Sequence, residues 1–194
     1  MISGMGYAFL VAGYLVIVAF FVIQRFLRVT PDAKSFSRGR FDRGSSFLIW
    51  VSVGAGLSLP LLLDYLGFAV FRVDVLEGAI ALAVMLFAVG LRVWAAVTLG
   101  KFYSTTLLVA EDHHVVSTGP YARIRHPGYL SEILMWEGLA VLCSNLLLVI
   151  IFPIMTLLVY LYRISVEERM LNEKLGDEYI EYRRKTRRLI PFVY

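Results

Sequence analysis

The chain has 194 residues, 59% of them hydrophobic and 18% charged, against about 45–50% and about 25% in soluble domains. That balance excludes an ordinary water-soluble domain and points to one membrane-embedded unit whose apolar surface is covered by lipid. The net charge of +4, from 19 basic and 15 acidic residues, acquires meaning only from where the basic residues fall.

Residues 1–24 carry no formal charge, and the apolar run 5–23 reaches the roughly 20 residues that cross about 30 Å of hydrocarbon. It lacks the basic flank and cleavage site of a secretory signal, so it reads as a retained first transmembrane helix. A second charge-free run, 44–63, carries Ser52, Gly54, Ala55, Gly56 and Ser58, small residues that let helices approach closely in lipid. No strand precedes Gly54-Ala55-Gly56, so it reads as packing and not as a nucleotide loop. The third span, 76–99, is interrupted by Arg92.

The last apolar stretch, 138–162, contains the turn-like Cys143-Ser144-Asn145. Charge parity decides its form. Segments 24–45, 99–128 and 163–194 hold six, three and eight Lys or Arg, 17 of the 19, and cytoplasmic loops collect these residues. All three share the inner side only where the last stretch is a hairpin with arms 129–142 and 146–162, short enough for its tip to stop within the far leaflet. The expected fold is therefore all-α, a multi-pass membrane protein with five transmembrane helices. The amino terminus lies outside, the carboxyl terminus is cytoplasmic, and residues 1–194 form a single domain with helices one to three in 1–99. Dispersed over inner loops, the basic residues face anionic lipid and leave no case for nucleic acid.

Ionisable residues within spans mark function or buried pairs, and the candidates are Arg92, Glu132 and Glu137, with an Arg92–Glu132 ion pair as the structural alternative. His113, His114 and His126 all fall on the inner side, but without His-x-x-x-His spacing or a thiolate cluster they make no metal site. Cys143 is the sole cysteine, which excludes an internal disulfide. The run from Gly119 to Tyr129 is a Pro- and Gly-punctuated loop in which Pro127 suits a first helical turn. A helix start beside His126 and Tyr129 favours an anionic ligand group. Arg163 and Glu167 stand one turn apart, followed by Glu168, as a helix-stabilising pair or a grip on a charged substrate. Leu171, Leu175, Tyr179 and Tyr182 form an amphipathic pattern broken by Gly176, a C-terminal helical lid over this inner face.

Gly119-Pro120-Tyr121, Arg125-His126-Pro127-Gly128-Tyr129, Arg163 with Glu167-Glu168, and Tyr179, Tyr182 and Pro191-Phe192 together resemble the isoprenylcysteine carboxyl methyltransferase family across residues 100–192. The resemblance implies S-adenosylmethionine-dependent methyl transfer, at the cytoplasmic membrane face, to the carboxylate of a prenylated or other lipophilic acceptor. It implies a cofactor site of His113, His114, Val115, Val116, Tyr121, His126, Pro127, Gly128, Tyr129 and Glu167, with Arg163 at the substrate and Glu168 tied to catalysis. No obligate protein partner is implied; the membrane is the cell membrane in a prokaryote and the endoplasmic reticulum in a eukaryote. Two features depart from the family: Val115 stands where it has Leu, and the additional amino-terminal helices of eukaryotic members are lacking. A carboxylate with a reference pKa near 3.5 is ionised at neutral pH and needs no general base. The expectation is that Arg163 aims it and Glu168 orients Arg163 or a water. The competing readings are a phospholipid amine N-methyltransferase, a nicotinamide-dependent reductase, and a non-enzymatic membrane scaffold or small transporter.

Overall fold

The computed structural model describes residues 4–27, 42–68, 71, 73–104 and 114–190. Six α-helices account for most of them: α1 Gly4–Leu27, α2 Ser45–Tyr65, α3 Val75–Leu99, α4 Pro127–Leu142, α5 Leu146–Leu175 and α6 Asp177–Lys185. His113, most of the basic first loop and Pro191-Phe192 lie outside the described residues.

The helix limits follow local chemistry. Asp74 and Glu77 form a reciprocal capping box at the start of α3, satisfying backbone donors that the helix leaves open. Pro127 opens α4, and the Asn145 side chain accepts from Leu147 and Leu148 N–H to cap α5. Helices α1, α2, α3 and α5 are long and apolar enough to cross a membrane; α4, with 16 residues, is about 24 Å long.

The three-residue turn 143–145 joins α4 to α5 as a hairpin. Asn145 Nδ2 donates to Phe68 O at 2.6 Å and Phe71 N to Ser144 O at 2.8 Å, so the tip docks on the α2–α3 connection. Helix α5 continues well past residue 162, because no breaker intervenes before Gly176 at φ 55°. Arg163, Glu167 and Glu168 thus ride on the hairpin arm itself.

Helix α4 is the hub, packed against α1, α3 and α5. Met85 and Ala88 of α3 meet Leu139 and Ala140 of α4 and Phe152 of α5, all fully buried. Small residues permit the approach: a Cβ on Gly138 would collide with Met85 Cγ and come within 3.0 Å of Ala81 O, and one on Gly56 would enter the Trp136 ring. Large apolar side chains such as Leu15, Val18, Leu86 and Phe87 point outward, where lipid would meet them. Gly138→Ala should cost about 1–3 kcal/mol by overpacking against main chain that cannot yield, read as a lowered thermal midpoint in detergent; an unchanged midpoint would show that α3 and α4 are not held at this distance.

Candidate functional site

A cavity of about 580 Å³ opens at the end of the bundle where α4 begins. Part of its wall is formed by His114, Val115 and Val116, with Tyr121, Glu167 and Tyr179. The other part is apolar, from Phe21 of α1 and Ile49, Trp50 and Val53 of α2. The size suits a small-molecule site, which typically spans roughly 300–1,000 Å³.

Arg92, Glu132 and Gln24 also line the cavity. Arg92 Nη2 pairs with Glu132 Oε1 at 3.0 Å and Nη1 donates to Gly128 O at 2.9 Å. A Cβ at Gly128 would come within 2.9 Å of Arg92 Nη1, so glycine there leaves the guanidinium its seat. Gln24 Nε2 donates to Glu132 Oε1 at 3.3 Å, and the Tyr160 hydroxyl donates to Glu132 Oε2. The carboxylate is thus fully engaged, as a charge at membrane depth must be. Arg92 Nε is buried and has no hydrogen-bond partner among the described residues; the residue itself is on the cavity wall. The expected Arg92–Glu132 pair is present, yet it lines the cavity instead of merely locking two helices.

His126, Tyr129 and Tyr160 stack in a ladder, with centroids 5.6 and 5.5 Å apart. The Tyr129 hydroxyl donates to Glu167 Oε2 at 2.5 Å and accepts from Arg163 Nε at 3.1 Å. Burial raises the Tyr121, Tyr179 and Tyr182 hydroxyls above their ordinary range, so these act as neutral donors. Tyr182 uses its proton on Tyr121 O at 2.8 Å, while the buried Tyr179 hydroxyl has no partner among the described residues.

Glu168 occupies a different place. It is buried, 3% exposed, and accepts from Arg125 Nε at 2.9 Å, from Arg188 Nε and Nη2 at 3.2 and 3.0 Å, and lies 3.4 Å from His126 Nε2. Arg125 also donates to Thr186 O, and a parallel bridge joins Ile124 to Arg187. Glu168 therefore pins the 119–126 loop and the segment after α6 to α5.

Of the residues expected from sequence, His114, Val115, Val116, Tyr121, His126, Gly128, Tyr129 and Glu167 line the cavity together. Pro127 is buried at the first position of α4. Arg163 and Glu168 are not on the wall: Arg163 is 1% exposed and bonds Asp42, Ser45, Ser46 and Tyr129, and the hydrogen bonds of Glu168 described above run to Arg125, His126 and Arg188, not to Arg163. Sequence reasoning missed Gln24 and the α2 residues Ile49 and Trp50. An uncharged amide at the inner end of an apolar span was the available signal for Gln24; apolar wall residues carry none.

Residues 80–173 match the sequence profile of the isoprenylcysteine carboxyl methyltransferase (ICMT) family. Protein-S-isoprenylcysteine O-methyltransferase B of Arabidopsis thaliana is 33% identical over 106 residues, 53% of each chain. The Saccharomyces cerevisiae protein-S-isoprenylcysteine O-methyltransferase is 40% identical over 82 residues, 42% of this chain and 34% of its own. The Schizosaccharomyces pombe protein of that name is 24% identical over 202 residues, covering 96% and 86%. The chain spans about half the length of the first of these relatives. A solved structure of the eukaryotic intramembrane Ras methyltransferase ICMT superposes with TM-score 0.60 at 23% identity over 75% of this chain and 52% of that one, a likeness of fold.

Proposed function

We propose that this chain, whose residues 80–173 match the isoprenylcysteine carboxyl methyltransferase family, methylates a carboxylate on a lipophilic acceptor at the cytoplasmic face of a membrane. The observation that carries this reading is a cavity that combines polar and aromatic residues with an apolar slot between α1 and α2, and has Arg92 on its wall. The α4–α5 hairpin then acts as the fourth and fifth membrane helices, returning the basic carboxyl-terminal segment to the inner side, and α6 is the lid over the polar part.

S-adenosylmethionine would supply an electrophilic methyl group on a sulfonium. The residues present fit it: His114, Val115, Val116, Tyr121, His126, Gly128, Tyr129 and Glu167 offer aromatic faces, ring nitrogens and a carboxylate, and the Tyr179 hydroxyl, without a partner among the described residues, is a donor still to be satisfied. Pro127 opens α4 behind them, so the positive end of the helix dipole favours an anionic group there. His113 belongs to the same set by the family pattern.

Phe21, Ile49, Trp50 and Val53 would bury the acceptor's lipid chain. Arg92, a residue of the cavity wall, would pair with its carboxylate, while Glu132 and Gly128 O hold the guanidinium plane still. With the acceptor already ionised, the protein's task is alignment and exclusion of water. On this reading Arg163 and Glu168 serve the reaction by positioning, Arg163 through Tyr129 and Glu168 through His126 and Arg125.

Purified protein given methyl-labelled S-adenosylmethionine should place base-labile label, an ester, on a farnesylcysteine analogue. Label appearing only in phosphatidylethanolamine would instead establish amine methylation, and absence of S-adenosylhomocysteine binding would defeat both.

A further inference from the structure

The apolar slot is bounded by two helices that lean on different neighbours. Helix α1 packs on α3 and α4, whereas α2 packs along α5, so the distance between Phe21 and Trp50 depends on how α2 is held. The cavity-facing stretch of α2 is its first two and a half turns, Ser46, Ile49, Trp50 and Val53.

The attachment at that end is unusual. Gly44, in the left-handed region at φ 78°, makes no side-chain cap. Asp42 does the work: one oxygen, Oδ1, accepts from Ser46 N at 3.1 Å, Ser46 Oγ at 2.8 Å, Ser45 Oγ at 2.9 Å and Arg163 Nη1 at 3.0 Å. Arg163 Nη1 also reaches Ser45 Oγ at 2.7 Å and Ser46 Oγ at 3.2 Å, and the Tyr162 hydroxyl donates to Arg43 O at 2.8 Å. Two successive α5 residues thus grip residues 42–46. Partial burial alone would raise the Asp42 carboxyl, but the hydrogen bonds from Ser46 and Ser45 outweigh it and hold the group below its ordinary range. Asp42 is therefore an anion at the start of α2, where the helix dipole favours one. The same Arg163 holds the Tyr129 hydroxyl, which donates to Glu167.

We propose that Asp42 is a positioning residue for the acceptor: with Arg163 it latches the start of α2 to α5 and so sets the width of the slot between α1 and α2. This rests on the reading that the slot holds the acceptor's lipid chain. Loss of the latch widens the slot and weakens the grip on that chain, while the polar part of the cavity, built from other elements, keeps its ligand.

The test uses the full chain in lipid nanodiscs, unaltered and as Asp42→Ala, Asp42→Asn and Asp42→Glu. Removing a charged hydrogen-bond partner predicts about a tenfold rise in Kd for a fluorescent farnesylcysteine analogue, and in its KM, for Asp42→Ala, with partial effect in Asp42→Asn and recovery in Asp42→Glu. The kcat and the Kd for S-adenosylhomocysteine stay within about twofold, and amide exchange quickens over residues 45–53. Unchanged exchange, or quicker exchange with unchanged analogue affinity, overturns the latch. Failure of the unaltered protein to bind the analogue also overturns it, by removing the lipid from the slot. Binding without methyl transfer defeats the methyltransferase reading alone, and the shift in analogue affinity then decides the latch.

Discussion

Glu168→Gln lowers the thermal midpoint of the purified protein by roughly 10 °C, following from about 3–5 kcal/mol for an uncompensated buried charge in a chain of this size. The carboxylate is 3% exposed and faces Arg125, Arg188 and the His126 ring at 2.9–3.4 Å, with Arg183 Nη2 at 3.8 Å. Neutralising it leaves the nearly buried Arg125 guanidinium without its counter-ion, and an amide cannot accept from two arginines and a ring while burying its own N–H groups. The 119–126 loop and the segment after α6 lose their common anchor, so S-adenosylhomocysteine binding falls along with stability. Differential scanning fluorimetry and calorimetric titration on the same sample read both. A normal midpoint with abolished methyl transfer would instead put Glu168 among the reacting groups.

Arg92→Lys is expected to reduce kcat/KM for the lipophilic acceptor by roughly 10²-fold, the order of loss when a reacting group is displaced by about 1 Å, with S-adenosylhomocysteine affinity within about threefold. Lysine retains a cation for Glu132 and so spares the fold, but it lacks the planar fork with which Arg92 holds Glu132 and Gly128 O together on the cavity wall. Arg92→Ala is the poorer experiment, because it strands the buried Glu132 and confounds folding with chemistry. Initial rates at saturating cofactor give the ratio. Full activity in Arg92→Lys would return the carboxylate to Arg163, whose own lysine variant, on the geometry seen here, acts by loosening Asp42 and Tyr129.

The two arginines separate what a sequence reveals of a buried charge from what only its surroundings reveal. Both were visible in sequence as charges at or within apolar helices, and physical cost alone marks such residues as engaged. Which one faces a ligand depends on the sites reserved for the other donors. Arg163 meets Asp42 across more than a hundred residues of chain, a partner in a loop whose sequence reads only as basic. Arg92 meets Glu132 as the pairing of intramembrane charges suggested, but its seat on the cavity wall appears only once Gly128 has been placed beneath it. The wall residues Ile49 and Trp50 could not be singled out, because in lipid an apolar side chain looks alike whether it meets a neighbour, the bilayer or a bound chain.

By itself the sequence determined the all-helical membrane class, the limits of α1 to α3 within a few residues, the turn at 143–145 and the gathering of polar residues toward one end, since hydrocarbon thickness, the cost of intramembrane charge and the punctuation by Pro and Gly are local constraints. Tertiary structure alone decided that α5 runs unbroken to Leu175, that Glu168 anchors two segments, and that α1 and α2 share a cavity while leaning on different helices. Those facts depend on which surfaces of distant helices meet, and helix packing in lipid is set by shape and by a few polar contacts that no single segment encodes.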